Sequence, residues 1–253
     1  MPIISNQKIE LVPAGLSLAS GRLDNAQLRG TGGTALVGNS YQTISATPGI
    51  VAQPSLSGEY LKVVSTDGAD TNNGGATGAR KVKIKGLDEN GIEVEENLPL
   101  NGTTPVTTQF QYTSVNQFFA TQMGGNNTTD ANVGDIKILT NDETGEVGRV
   151  AAGVNRMYSA QWSSPSDKTT YITSFVYGVA GASAAEISIW GRNQVGQPFQ
   201  RLLAVVAENG TNTYKLYNPF MLRIGGIIQF RAKALDAGQT AHVSVDFQLI
   251  QES

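Results

Sequence analysis

The sequence predicts an all-β protein: two antiparallel β-sandwich domains of jelly-roll-like form, preceded by an extended N-terminal arm. Three observations lead there. Segments such as Arg80-Lys-Val-Lys-Ile-Lys85 and Thr240-Ala-His-Val-Ser-Val-Asp-Phe-Gln-Leu249 place apolar residues at every second position, the period of a half-buried strand. Clusters of Asn, Asp and Gly punctuate the series at strand-length intervals. No stretch longer than three turns keeps a helical apolar stripe free of Gly or β-branched interruption, so helix should be scarce.

Taken in order, residues 1–45 carry Gly30, Gly32, Gly33 and Gly38 among small polar residues, with weak periodicity around Leu16–Leu28. They read as an arm that becomes ordered only against a neighbouring subunit. Strands follow at Tyr60–Ser65, Arg80–Leu87, Glu93–Leu100, Val106–Phe110, Thr113–Met123 and Asp135–Thr140, making a first domain over 46–150. Asp88-Glu-Asn-Gly91 supplies a hairpin in which Asn90 and Gly91 both tolerate positive φ. Alternation then turns Val82 and Ile84 inward and Lys81, Lys83 and Lys85 outward.

The polar run Asn141-Asp-Glu-Thr-Gly-Glu-Val-Gly148 suggests a boundary between 141 and 155. A second domain, 151–253, is expected from strands at Met157–Ser163, Thr169–Val179, Ala184–Arg192, Phe199–Val206, Thr213–Tyr217, Ile227–Leu235 and Ala241–Ile250.

Composition narrows the function classes. At 253 residues each half can bury its own core, and the absence of cysteine removes disulfides, thiol nucleophiles and thiolate metal sites. Net charge is −3 with 15% charged residues, so solubility rests on neutral polar groups. No basic stripe exists to neutralise a phosphate backbone, and nucleic acid is not an expected partner. The opening Met1-Pro-Ile-Ile-Ser-Asn-Gln-Lys8 does not read as a signal peptide, and no eighteen apolar residues run together, so no membrane span is expected. Synthesis in the cytoplasm is the expectation.

The chemical inventory is thin, and no catalytic, cofactor-binding or metal-binding residue is assigned. His242, the single histidine, shares the outer face of its strand with Ser244 and Asp246, opposite Ala241, Val243, Val245 and Phe247. Same-face neighbours along one strand do not converge on an imidazole as a triad must. The oxygen-rich loops Thr66-Asp-Gly-Ala-Asp-Thr-Asn-Asn-Gly74 and Asp88–Glu93 lack an EF-hand pattern and read better as Asx turns than as calcium sites. Gly30-Thr-Gly-Gly-Thr-Ala-Leu-Val-Gly38 lacks the lysine and following helix of a phosphate loop and reads as flexible arm.

Glu93, Glu95 and Glu96 are explained by cross-strand pairing with the lysine-bearing strand, rather than as a glycosidase pair. With Asp67 and Asp70 they are the acids a polysaccharide-degrading enzyme would have to use, and none is paired by spacing. Asn101, Asn127 and Asn209 head Asn-x-Thr triplets that read as turn chemistry. Trp162, Trp190, Tyr158, Tyr171, Tyr177, Tyr214, Tyr217, Phe199 and Phe220 gather in the C-terminal half, making it the stickier surface, open to a carbohydrate or protein contact.

Several stretches carry a resemblance. Ser65-Thr-Asp-Gly-Ala-Asp70 with Thr77-Gly-Ala-Arg-Lys-Val-Lys-Ile-Lys-Gly-Leu-Asp88, Glu95-Glu-Asn-Leu-Pro-Leu-Asn-Gly-Thr-Thr-Pro-Val106 and Asn132-Val-Gly-Asp-Ile-Lys137 resemble virion structural proteins of tailed bacteriophages, including marine and cyanobacterial ones. Tyr171-Ile-Thr-Ser-Phe175, Ile189-Trp-Gly-Arg192, Pro198-Phe-Gln-Arg201 and Ile228-Gln-Phe-Arg-Ala-Lys-Ala234 have the look of their C-terminal β-sandwich. The likeness covers roughly 55–250 and leaves the first 45 residues outside.

It implies a non-enzymatic subunit of the virion that decorates or reinforces the capsid exterior. The implied partners are its own copies, with a homotrimer first, and the major capsid protein or other virion proteins. It brings no cofactor and no catalytic residue. A tail or neck adhesion subunit that binds a host surface glycan is the alternative.

Overall fold

A computed structural model describes residues 27–181, 184–192, 197–208, 210–222, 225–236 and 238–252. They form sixteen strands, and every pairing between named strands is antiparallel. No helix occurs among them, and so none is long and apolar enough to cross a membrane.

The first sandwich is built from β3 (Glu59–Ser65), β4 (Ala79–Leu87), β5 (Glu93–Pro99), β6 (Val106–Tyr112), β7 (Ser114–Met123), β8 (Ile136–Leu139) and β9 (Glu146–Val150). One sheet runs β6-β3-β8-β9 and the other β5-β4-β7. Their inner faces bury Leu61, Val63, Val82, Ile84, Phe118, Ile136 and Ile138. The expected alternation holds along β4, where Val82 and Ile84 are buried and Lys81, Lys83 and Lys85 are not. Strand β9 was not anticipated, since Glu146-Val-Gly-Arg-Val150 is too short and too polar to stand out beside the turn formers before it.

The second sandwich comprises β1 (Gln27–Val37), β2 (Gln42–Thr43), β10 (Gln161–Ser163), β11 (Thr169–Ala180), β12 (Ala185–Arg192), β13 (Gln200–Ala207), β14 (Gly210–Leu222), β15 (Ile227–Ala234) and β16 (Ala241–Glu252). One sheet runs β1-β16-β11-β14, and the other β10-β15-β12-β13 with β2 also paired to β15. Setting the two-residue β2 aside, the remaining eight strands taken in chain order give sheets 1-8-3-6 and 2-7-4-5, the jelly-roll arrangement. The first sandwich is inserted between β2 and β10. Met157 packs in the first core and Ala160 in the second, so the chain changes core between these residues.

Two expectations are corrected here. The arm expected over 1–45 is, from Gln27 onward, part of the second sandwich, and residues 1–26 lie outside the described residues. Strand β1 pairs with β16 over eleven residues, Gln27↔Gln251 through Val37↔Ala241, so the Gly30–Gly38 run is mostly edge strand. Gly32 and Gly33 in it have a packing reason. A Cβ on Gly33 would lie 2.1 Å from the Ile44 carbonyl oxygen and 2.7 Å from the Ala160 amide nitrogen. Those two atoms bond each other at 2.8 Å and tie the lead-in to the return from the inserted sandwich. Gly33→Ala is therefore expected to cost about 1–3 kcal/mol in urea unfolding, the usual penalty of overpacking. A loss below about 0.5 kcal/mol would mean that β1 can lift away without consequence.

The hairpin joining β4 to β5 lies between the expected strand ends, Leu87 and Glu93, but Asn90 and Gly91 do not both take positive φ. Only Gly91 has positive φ, at 74°, and Leu87 faces Glu93 across a five-residue loop. Asp88 is the reason, because its Oδ1 accepts from the amides of Asn90 at 2.9 Å and Ile92 at 2.8 Å and holds the wider loop.

Candidate functional site

The acids suspected of chemistry fall apart into separate structural duties. Asp70 is fully buried, and its carboxylate is saturated with donors. Oδ1 accepts from the amides of Ala79 at 2.7 Å and Val133 at 3.0 Å, and Oδ2 from the Gly134 amide at 2.8 Å and the Ser65 hydroxyl at 2.7 Å. Asp67 caps its own turn by accepting from the Ala69 amide at 2.8 Å. The 66–74 loop thus directs its best oxygens at backbone, and among the described residues no group of three His, Cys, Asp or Glu converges as metal ligands would.

Glu93, Glu95 and Glu96 point to three places. Glu93 pairs with Lys168 of the second sandwich. Glu95 stands in solvent between Lys83 at 2.9 Å and Lys85 at 2.8 Å, the cross-strand pairing expected from the sequence. Glu96 turns inward, accepting from the Tyr112 hydroxyl at 2.9 Å and the Gln109 amide at 2.8 Å. Burial and the facing Glu96 carboxylate together hold the Tyr112 phenol far above its ordinary range.

Hydrogen bonds from Lys85 and then Lys83 lower the Glu95 carboxyl from 4.5 to about 2. Because the folded-state value is depressed, the pairing favours the folded state above pH 4.5 and that contribution is lost as pH falls toward 2. Lys85→Met is expected to move the Glu95 midpoint back toward 4.5 in a carboxyl-carbon NMR titration. An unmoved midpoint would show that the pair does not persist in solution.

His242 lies exposed on β16 with Ser244 and Asp246 on the same outer face, as the alternation requires. Nothing brings the three side chains together beyond their strand spacing. Asn127 folds its amide onto the Ala131 carbonyl at 2.7 Å, Asn101 is exposed at a turn, and Asn209 lies outside the described residues. Trp162 is core, while Tyr158 and Tyr214 are exposed. The side chains of Tyr217 and Phe220 lie outside the described set.

The richest constellation occupies the outer face of β15, β12 and β13. Along β12 the buried Ala185, Ile187 and Ile189 face the core, which turns Glu186, Ser188, Trp190 and Arg192 outward. Along β15 the buried Ile228, Phe230 and Ala232 do the same for Gln229, Arg231 and Lys233. Register then sets Glu186 opposite Lys233, Ser188 opposite Arg231 and Trp190 opposite Gln229. Strand β13 adds Arg201 opposite Trp190, and the segment before β2 adds Tyr41.

A layered stack results. The Arg231 guanidinium lies 4.8 Å from the Trp190 ring centre and 4.9 Å from that of Phe199, and its Nη2 donates to Gln229 Oε1 at 2.7 Å. Tyr41 meets Trp190 edge-on at 5.6 Å, and Lys233 Nζ sits 4.8 Å over the Tyr41 ring. Glu186 accepts from the Tyr41 hydroxyl at 2.6 Å and from Arg201 at 2.7 Å. Burial pushes the Glu186 carboxyl up, but hydrogen bonds from Tyr41 and Ser188 and the charges of Lys233 and Arg201 outweigh it and leave it below the usual range.

Four cations, Arg192, Arg201, Arg231 and Lys233, thus gather with three rings on this face, and two of them, Arg201 and Lys233, meet the Glu186 carboxylate. Such a face favours anions and the apolar faces of sugars or side chains. The sequence singled out Trp190 and Phe199 here and missed Tyr41, Glu186, Arg192, Arg201, Arg231 and Lys233. Alternation marks each as outward on its own strand, but only the β12–β15 pairing assembles them.

No family model matches the chain, and no curated protein is similar to it. Among solved structures, one described as "Structure of infectious bursal disease virus Gx strain" is similar over 99% of this chain and 78% of that chain, at 12% identity and a TM-score of 0.22. A likeness of that size is too weak to show a shared fold.

Proposed function

We propose that the chain is a non-enzymatic structural subunit of a bacteriophage virion, decorating or reinforcing the capsid exterior as an oligomer. The observation that carries this reading is the strand order of the second sandwich, an eight-stranded jelly roll with the first sandwich inserted between β2 and β10. Jelly rolls form shells and lectin-like surface modules by packing alone, which suits a cysteine-free particle protein. The separate engagement of Asp67, Asp70, Glu93, Glu95 and Glu96 supports a framework role over hydrolysis. Exposed Leu36 and Val176 on the outer face of β1-β16-β11-β14 offer apolar footing for a contact between copies.

Light scattering coupled to size exclusion, followed by co-sedimentation with purified heads, tests the reading. A stable trimer that sediments with heads is expected, and absence of the protein from purified heads would sink it.

The cation–aromatic face favours a second reading, an adhesion subunit that binds an acidic host surface glycan. Lipopolysaccharide should then quench Trp190 fluorescence, and Trp190→Phe should remove the response while the buried Trp162 emission stays. Quenching that survives Trp190→Phe would reject it.

A further inference from the structure

At the seam between the sandwiches, the β4–β5 hairpin docks on the segment that follows β10, with the Ser166 amide donating to the Gly91 carbonyl at 2.8 Å. Beside this contact lies a cavity of about 170 Å³ lined by Asn90, Gly91, Ser114, Ser163, Ser166 and Arg192, with the exposed Glu89 also on its wall. Two polar groups of its lining are buried without a partner: Arg192 Nε and Ser114 Oγ. Ser114 is only 3% exposed, so water does not satisfy it from bulk.

Arg192 is unlike the other cations of the neighbouring face. Arg201 and Lys233 meet Glu186, and Arg231 is bonded to Gln229 between two rings. The Arg192 guanidinium has one face on Phe199, at 5.2 Å, and no hydrogen bond or ion pair among the described residues reaches it, Glu89 included. Burial alone depresses its affinity for a proton, and no carboxylate offsets it. A guanidinium does not escape by losing its proton, so a half-buried one calls for a counter-charge.

We propose that this seam cavity is a binding site for a single oxyanion group, a carboxylate or a phosphate, held by the Arg192 guanidinium, with the Ser114 hydroxyl turning in as a further donor. A cavity this size holds roughly five or six waters, enough for one such group and too little for an extended polymer. Guanidinium geometry favours two-point contact with an oxyanion over a spherical anion. The inference is independent of the virion reading. The group belongs either to a free small anion or to an acidic side chain of a second copy, and the experiment separates them.

Calorimetric titration of the full chain with inorganic phosphate, with acetate, and with chloride as control reads the first source. Saturable binding of phosphate or acetate is expected, weakened at least tenfold by Arg192→Gln and several-fold by Ser114→Ala, with Arg192→Lys between wild type and Arg192→Gln. Light scattering reads the second: if the group comes from another copy, Arg192→Gln dissociates the oligomer and millimolar phosphate does the same to the wild type. Thermal melting checks that each variant is folded, and Arg192→Lys and Ser114→Ala carry the test should Arg192→Gln fail to fold. The proposal is overturned if phosphate and acetate act no differently from chloride and the oligomer ignores both Arg192→Gln and phosphate. Equal phosphate affinity in wild type and a folded Arg192 variant would overturn it as well.

Discussion

Replacing Asp70 with Ala is expected to lower the stability of the first sandwich by about 3–5 kcal/mol. The carboxylate stands where three segments meet: the turn after β3, the start of β4 and the loop before β8. It accepts from three backbone amides and the Ser65 hydroxyl, all at 3.0 Å or less. Alanine leaves those donors buried and unpaired, each at a desolvation cost of roughly 1–3 kcal/mol, partly relieved if water enters the gap. Asp70→Asn keeps the shape but turns an amide group toward a donor, and should recover only part of the loss.

Urea denaturation followed by circular dichroism measures both variants. A cost under about 1 kcal/mol for Asp70→Ala would show that the loops hold without it. Added calcium should leave the wild-type midpoint unchanged, because the Asp70 oxygens are already engaged.

Phe230→Ala is the second large effect, expected at about 3–5 kcal/mol in the jelly roll. Phe230 is fully buried, with Phe175 edge-on at 5.3 Å and Phe247 stacked at 4.9 Å. These rings belong to facing sheets, β15 on one side and β11 and β16 on the other, so deleting the middle ring opens a cavity between the layers. Phe230→Leu refills most of it and should cost less than half as much. Trp162, buried on neighbouring β10, reports the transition by fluorescence. Because Asp70 and Phe230 serve separate cores, the double variant should show additive losses within about 0.5 kcal/mol. A Phe230→Ala loss near that of Phe230→Leu would mean that the rings collapse together and no cavity forms.

Much of the fold was legible because a strand's two faces follow from its own residues. Ala241, Val243, Val245 and Phe247 declare the inner face of β16 and leave His242 outside, as found. The lysines of β4 and Glu95 of β5 announced their pairing because one hairpin brings them together. The same locality explains the misses. The Gly30–Gly38 run shows no alternation, since Gly32 and Gly33 are small for close packing rather than for freedom of the chain, and its partner β16 lies at the other end of the sequence. The place of the Asn90-Gly91 turn was legible, but not that Asn90 keeps a negative φ, because the Asp88 carboxylate two residues earlier holds the loop.

The sequence by itself determined the class of this protein: all-β, with the inward and outward sets of most strands and the local ion pairs of its hairpins. A period of two is a local property, and neighbouring residues enforce it wherever a strand forms. Tertiary structure alone decided that the first described strand closes the last sheet, that one sandwich interrupts the other, and that Asp70 is a buried tie between loops. It also gathered Tyr41, Glu186, Trp190, Arg231 and Lys233 on one face and placed Arg192 and Ser114 on the wall of one cavity at the seam. Those arrangements depend on which strands pair across long stretches of chain. That choice is made by burying two cores at once, a global packing condition that no local window of residues contains.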